Sequence, residues 1–168
     1  MTLMEKNEFY EIINPILNSS EFQKRKNYKH HGKISVYDHS LRVSKVAYIL
    51  AKKLNKDYRS AAIAGLLHDF YYKDWQLNRK KGNVLKAHGF RHASEALENS
   101  KKNFPFLINK KIENGIKRHM FPLNFIPPRY LESWVICLVD KYCSFEVFKT
   151  PKEWYKYIGL RKKGDKNE

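Results

Sequence analysis

Seven histidines stand in the chain, and the informative ones fall on apolar helical patterns. His39 shares a helical face with Val43, Val46, Ala47, Leu50 and Leu54. His68-Asp69 closes a run, residues 58–69, that is rich in Ala and Leu and nearly free of charge. His119 follows Ile112 and Ile116 at helical spacing, and Asp140 lies one turn from Ile136 and Cys137. Each places an ionisable or ligating group where a core residue is expected. A bare carboxylate buried there costs several kcal/mol unless it is paired or bound to a metal. Taken singly, His119 reads as a satisfied core histidine and Asp140 as half of a salt bridge with Lys141. The ordered set His, His-Asp, Asp on successive helices points instead to side chains converging on a cation.

The elements that must position these groups read as helices. Residues 9–16 form a short amphipathic helix through Phe9, Ile12, Ile13 and Ile16, with Pro15 as an irregularity. Residues 24–33 are basic and turn-like and include His30-His31-Gly32. A helix opens at His39, residues 55–57 break it and cap the next, and 58–69 is a buried helix. Residues 71–87 are aromatic, basic and irregular, which predicts a loop. Further helices are expected at 88–99, 107–119 and 128–148, the last opened by Pro127-Pro128. Thr150-Pro151-Lys152-Glu153 has capping-box spacing for one last short helix before a charged tail from residue 161. No strand pairs emerge. The expected class is all-α: a single-domain helical bundle, with an N-terminal helix and basic turn (1–35), a main unit (36–148) and a C-terminal helix and tail (149–168).

Length and composition agree. The chain has 168 residues, 42% hydrophobic, 14% aromatic and 30% charged, which suits one packed domain and argues against disorder. The longest apolar run, 134–139, is far short of the roughly 20 residues of a membrane span. The N-terminus carries Glu5, Glu8 and Glu11 and no apolar signal region, so a cytoplasmic location without membrane association is expected. Cys137 and Cys143 on one helix would have Cα atoms roughly 9 Å apart, too far for a disulfide. The net charge of +16 reads either as a Lys-rich surface or as a field that attracts phosphate-bearing ligands, nucleotides or nucleic acid.

The stretches Asp38-His39-Ser40-Leu41-Arg42-Val43, Ala64-Gly65-Leu66-Leu67-His68-Asp69 and Leu138-Val139-Asp140-Lys141 resemble the HD superfamily of metal-dependent phosphohydrolases. That superfamily is defined by His, then His-Asp, then a distant Asp, and the resemblance spans about residues 36–148. It implies His39, His68, Asp69 and Asp140 as metal ligands. Some branches carry two further histidines, and His88 and His119 match them in order and helical context, which implies two metals bridged by Asp69. The sequence looks closest to small bacterial HD hydrolases resembling the symmetrical diadenosine tetraphosphatase branch. Mixed His and carboxylate ligation favours Mn or Fe, with Co, Mg or Zn admissible.

On that reading a phosphate ester or anhydride of a nucleotide-like substrate is cleaved by a metal-bound hydroxide, with Asp69 central. Two cations about 3.5–4 Å apart lower the pKa of the water they share. Arg42, one turn beyond His39, is the favoured catalytic cation, with Lys141 a weaker one. His92, four residues after His88, together with Arg91, Arg118 and Lys73, is expected to contact substrate. Tyr71, Tyr72 and Trp75 either stack on a base or close the core. Two alternatives stand beside this: an HD-type di-iron oxygenase, and a basic nucleic-acid-binding protein without catalysis, which leaves the buried His/Asp set without a reason.

Overall fold

The computed structural model describes residues 1–28, 34–71 and 84–146, with side chains throughout except at 84–91 and 145–146. Seven α-helices and two 3-10 turns make up the described residues, and no strand occurs among them.

Helix α1 (Leu3–Leu17) opens earlier than the apolar period suggests, because Thr2 and Glu5 form a capping box. The Thr2 hydroxyl accepts from the Glu5 amide at 3.2 Å, and the Glu5 carboxylate accepts from the Thr2 amide at 2.8 Å. Pro15 lies near the end of the helix and does not interrupt it. Its apolar face (Phe9, Ile12, Ile13, Ile16, Leu17) is buried. Where a basic turn was expected from residue 24, a short helix α2 (Ser20–Gln23) runs into a 3-10 turn over Lys24–Asn27. Arg25 is fully buried there, its guanidinium 4.7 Å from the Tyr28 ring centre and 5.0 Å from that of Phe70. His30 and His31 lie outside the described residues.

Helix α3 (Val36–Lys53) is capped by Ser35, and α4 (Tyr58–Leu67) by Asp57. The two run in close contact. The Ser44 hydroxyl donates to the Ala62 carbonyl at 2.7 Å, and a methyl at Gly65 would stand 2.9 Å from Ser44 Cα. The apolar face of α3 departs from expectation at its end: Tyr48 and Ala51 are buried, whereas Leu50 and Leu54 are exposed. Helix α5 (Val84–Asn103) starts inside the stretch expected to be a loop, which corrects residues 84–87; positions 72–83 lie outside the described residues.

A 3-10 turn over Pro105–Leu107 leads to α6 (Lys110–Arg118), capped by Asn109, and α7 (Leu131–Glu146) follows. Helix α4, buried from Ser60 to Leu67, sits centrally against α1, α3, α5, α6 and α7. Gly115 lets α6 approach: a methyl there would lie 2.7 Å from Ile136 Cδ1 and 3.1 Å from Ala64 Cβ. Lys111 Nζ pins the same helices from outside, 3.3 Å from Asp57 and 3.0 Å from Glu132. The final helix and tail expected beyond residue 148 lie outside the described residues. No helix among those described is long and apolar enough to cross a membrane.

Candidate metal centre

Five buried ionisable side chains and one half-buried histidine meet where the helices converge. His39 comes from the first turn of α3, His68 from the C-cap of α4 with Asp69 next to it, His92 from the middle of α5, His119 from the C-cap of α6, and Asp140 from α7. They form two groups, His39–His68–Asp140 and Asp69–His92–His119, and within each the candidate ligand atoms lie within 4.8 Å of one another.

The links are short. Nε2 of His39 lies 3.0 Å from Asp140 Oδ1, and Nε2 of His68 lies 3.5 Å from that same oxygen and 3.5 Å from Asp69 Oδ2. The other oxygen of Asp69, Oδ1, is 2.5 Å from His92 Nε2 and 3.6 Å from His119 Nε2. Asp69 thus turns one oxygen to each group.

The chemistry of the donor set tests whether a cation fits. His68 Nδ1 donates to the Gly65 carbonyl at 2.8 Å, and His119 Nδ1 donates to the Ile116 carbonyl at 2.7 Å. Each ring binds the carbonyl three residues back, which also satisfies a helix-end carbonyl. A carbonyl only accepts, so the proton sits on Nδ1 and the Nε2 lone pair of each ring faces inward. Neither Nε2 makes a hydrogen bond, although both rings are fully buried. Buried lone pairs facing carboxylate oxygens repel unless positive charge lies among them, and backbone-held imidazoles of this kind are how metal-ligating histidines are oriented. The residues fit a cation.

Without a metal, protons carry part of that charge. Burial disfavours a charged His68, but Asp69 and Asp140 outweigh it and push its pKa up to about 9. His119, desolvated and beside His68, is pushed down to about 4. Asp140, despite burial, is held well below the usual carboxylate range by His39 and His68.

The remaining expected residues divide. Arg42 is buried on α3, and its charge acts on the Cys143 thiol, which burial pushes up to about 12. Arg118 donates to Asn124 at 3.4 Å in the turn after α6. Lys141 makes no salt bridge with Asp140; its Nζ bonds the carbonyls of His119 and Cys137. Tyr71 is buried against the His92 ring, centroids 4.4 Å apart. His88 and Arg91 lie on α5 with side chains outside the described set, and Tyr72, Lys73 and Trp75 lie outside it entirely. Cys137 and Cys143 are both buried free thiols.

His92 is the residue sequence reasoning placed differently, as a substrate contact rather than a neighbour of Asp69. Positions four apart share a helix face, so spacing alone could not choose between His88 and His92.

No curated protein and no solved structure matches the chain significantly. The HD domain family model matches residues 36–144, a span that holds all six side chains of the two groups. The chain therefore belongs to the HD-domain family, all-α proteins that bind divalent metals and are mostly metal-dependent phosphohydrolases.

Proposed function

We propose that this chain is a metal-dependent phosphohydrolase that cleaves a phosphate ester or anhydride of a nucleotide-like substrate. One divalent cation, Mn or Fe by preference, would be held by His39, His68 and Asp140, and a second by His92 and His119, with Asp69 able to serve both. The observation that carries the reading is the division of Asp69, whose Oδ2 faces His68 while its Oδ1 faces His92 and His119. Cations bound there supply a water nucleophile at neutral pH and neutralise charge on phosphoryl oxygens.

The chain's own residues do the rest. The carbonyls of Gly65 and Ile116 fix the His68 and His119 rings before any ligand arrives, so little reorganisation is needed in the reaction. Arg42 contributes a buried positive charge one turn from His39. Arg91, Arg118 and Lys73 are assigned to substrate contact, Arg118 also donating to Asn124, and His88 stays a candidate ligand on α5 beside His92. A net charge of +16 draws polyanionic substrates toward the site, and dinucleoside polyphosphates are among those to try first.

Elemental analysis of the purified protein, followed by a phosphate-release screen over nucleotides and dinucleoside polyphosphates with Mn, Fe, Co and Mg, tests this. The expected result is two metals per chain and release with Mn or Fe. A protein that takes up no metal overturns the reading. Oxygen consumption with a carbon substrate and no phosphate release would assign the same ligand set to a di-iron oxygenase.

A further inference from the structure

We infer that Lys141 is a positioning residue for the second cation, acting through the backbone of His119. The inference rests on the metal reading above. Lys141 Nζ donates to the His119 carbonyl at 3.0 Å and to the Cys137 carbonyl at 3.2 Å, and lies 3.2 Å from Cys137 Sγ. Cys137 Sγ in turn donates to the Phe121 carbonyl at 3.4 Å. Two side chains one turn apart on α7 therefore hold both ends of the three-residue stretch 119–121, the turn that follows α6.

That stretch carries a ligand. His119 is the C-cap of α6, where helix carbonyls lose their intrahelical partners, and a lysine ammonium there meets both the open carbonyl and the negative end of the helix dipole. Lys141 also follows Asp140 directly. One residue of α7 faces the His39–His68 group, and the next fixes the backbone from which His119 reaches the Asp69–His92 group. The His119 ring is held at Nδ1 by the Ile116 carbonyl, so its Nε2 goes where the end of α6 goes. Loosening that end displaces the second group and leaves the first, built on α3, α4 and α7, in place.

The test is a Co(II) titration of the metal-free full-length protein, followed by the visible absorption of the bound ion and by calorimetry, for the wild type, Lys141→Met and Lys141→Arg. Methionine keeps the stem and removes the charge and donors; arginine keeps both. The wild type should bind two equivalents. Lys141→Met should bind the first with unchanged affinity and spectrum and the second about 10- to 100-fold more weakly, the usual cost of losing an outer-sphere partner. Lys141→Arg should recover most of that loss. Helicity and thermal midpoint of the metal-free forms show whether the variant still folds. Equal binding by wild type and Lys141→Met overturns the inference, as does weakening of both equivalents alike or loss of the fold, since either makes Lys141 a general structural residue. A wild type that takes up fewer than two equivalents overturns the two-cation reading itself, and this inference with it.

Discussion

Nε2 of His39 on α3 lies 3.0 Å from Oδ1 of Asp140 on α7, across 101 residues of chain. The two helices pack against each other and both pack on α4, so the pair joins three elements. His68 Nε2 approaches the same carboxylate oxygen at 3.5 Å, and two imidazoles thus crowd one oxygen while the Nε2 of His68 makes no hydrogen bond. A structural ion pair buried this deeply gains little over an apolar contact of the same volume. Ligation gives the arrangement a purpose.

Asp69 joins the two groups, so its loss should disable both. Asp69→Ala is expected to abolish phosphate release and strip bound metal, with helicity retained, as read by elemental analysis, a phosphate assay and circular dichroism. An alanine variant that keeps both metal and full activity would show that the shared position is not where the chemistry happens.

The two α5 histidines can be separated by experiment. His92 Nε2 sits 2.5 Å from Asp69 Oδ1, so His92→Ala should lower metal content from two ions to one and cut activity by at least about 10-fold, since losing even an outer-sphere partner costs about 10- to 100-fold. His88→Ala reads whether the other α5 histidine is also a ligand: loss of an ion adds it to the set, and retention of both leaves the α5 contribution to His92. Metal loss in the His88 variant with retention in the His92 variant would exchange the two roles.

Much of this centre was legible in the sequence, for a physical reason. His39, His68, Asp69, His119 and Asp140 interrupt apolar faces, and a polar residue on such a face is visible against the helical period. His92 stands four residues after His88 on α5, and positions four apart share a helix face, so no residue pattern separates the two. The start of α1 was misplaced because the capping pair Thr2 and Glu5 precedes the apolar residues that reveal the helix. Leu50 and Leu54 fit the period but are exposed, because the covered face at that end of α3 runs through Tyr48 and Ala51 instead. The role of Lys141 depends on a backbone carbonyl of another helix, which no residue pattern encodes.

The acid limb of stability should depend on Glu8. Its carboxylate accepts from Tyr48 at 2.6 Å, from Tyr58 at 2.7 Å and from Lys52, which ties α1 to α3 and α4. Lys52 and the two phenols pull its pKa from 4.5 down to about 2. A carboxyl whose folded value is depressed contributes its stabilisation in full above the unfolded value, and loses it as pH falls from there through the folded value. The contribution should therefore be present above about pH 4.5 and fade toward pH 2. Urea midpoints at pH 7, at pH 3 and below pH 2 test this: Glu8→Gln should be less stable than wild type at pH 7, the gap should narrow by pH 3, and it should close below about pH 2. A gap that persists unchanged at pH 3 and below would assign the loss to packing rather than charge.

The spacing of His39 and His68 rests on the contact between α3 and α4 at Gly65. A methyl there would stand 2.9 Å from Ser44 Cα, 3.1 Å from Ser44 N and 3.3 Å from the Val43 carbonyl carbon, all backbone atoms that cannot swing aside. Gly65→Ala must therefore part the two helices, at about 1–3 kcal/mol for overpacking and a fall in Tm of about 2–4 °C per kcal/mol for a chain of this size. The Gly65 carbonyl also holds the His68 ring, so the same shift should weaken metal binding at the His39–His68–Asp140 group. Gly115→Ala is the control: its nearest obstacle is the flexible end of Ile136, and its loss of stability should be smaller. Wild-type Tm and metal affinity in Gly65→Ala would mean that the helices separate without disturbing the histidines, and that their spacing is set elsewhere.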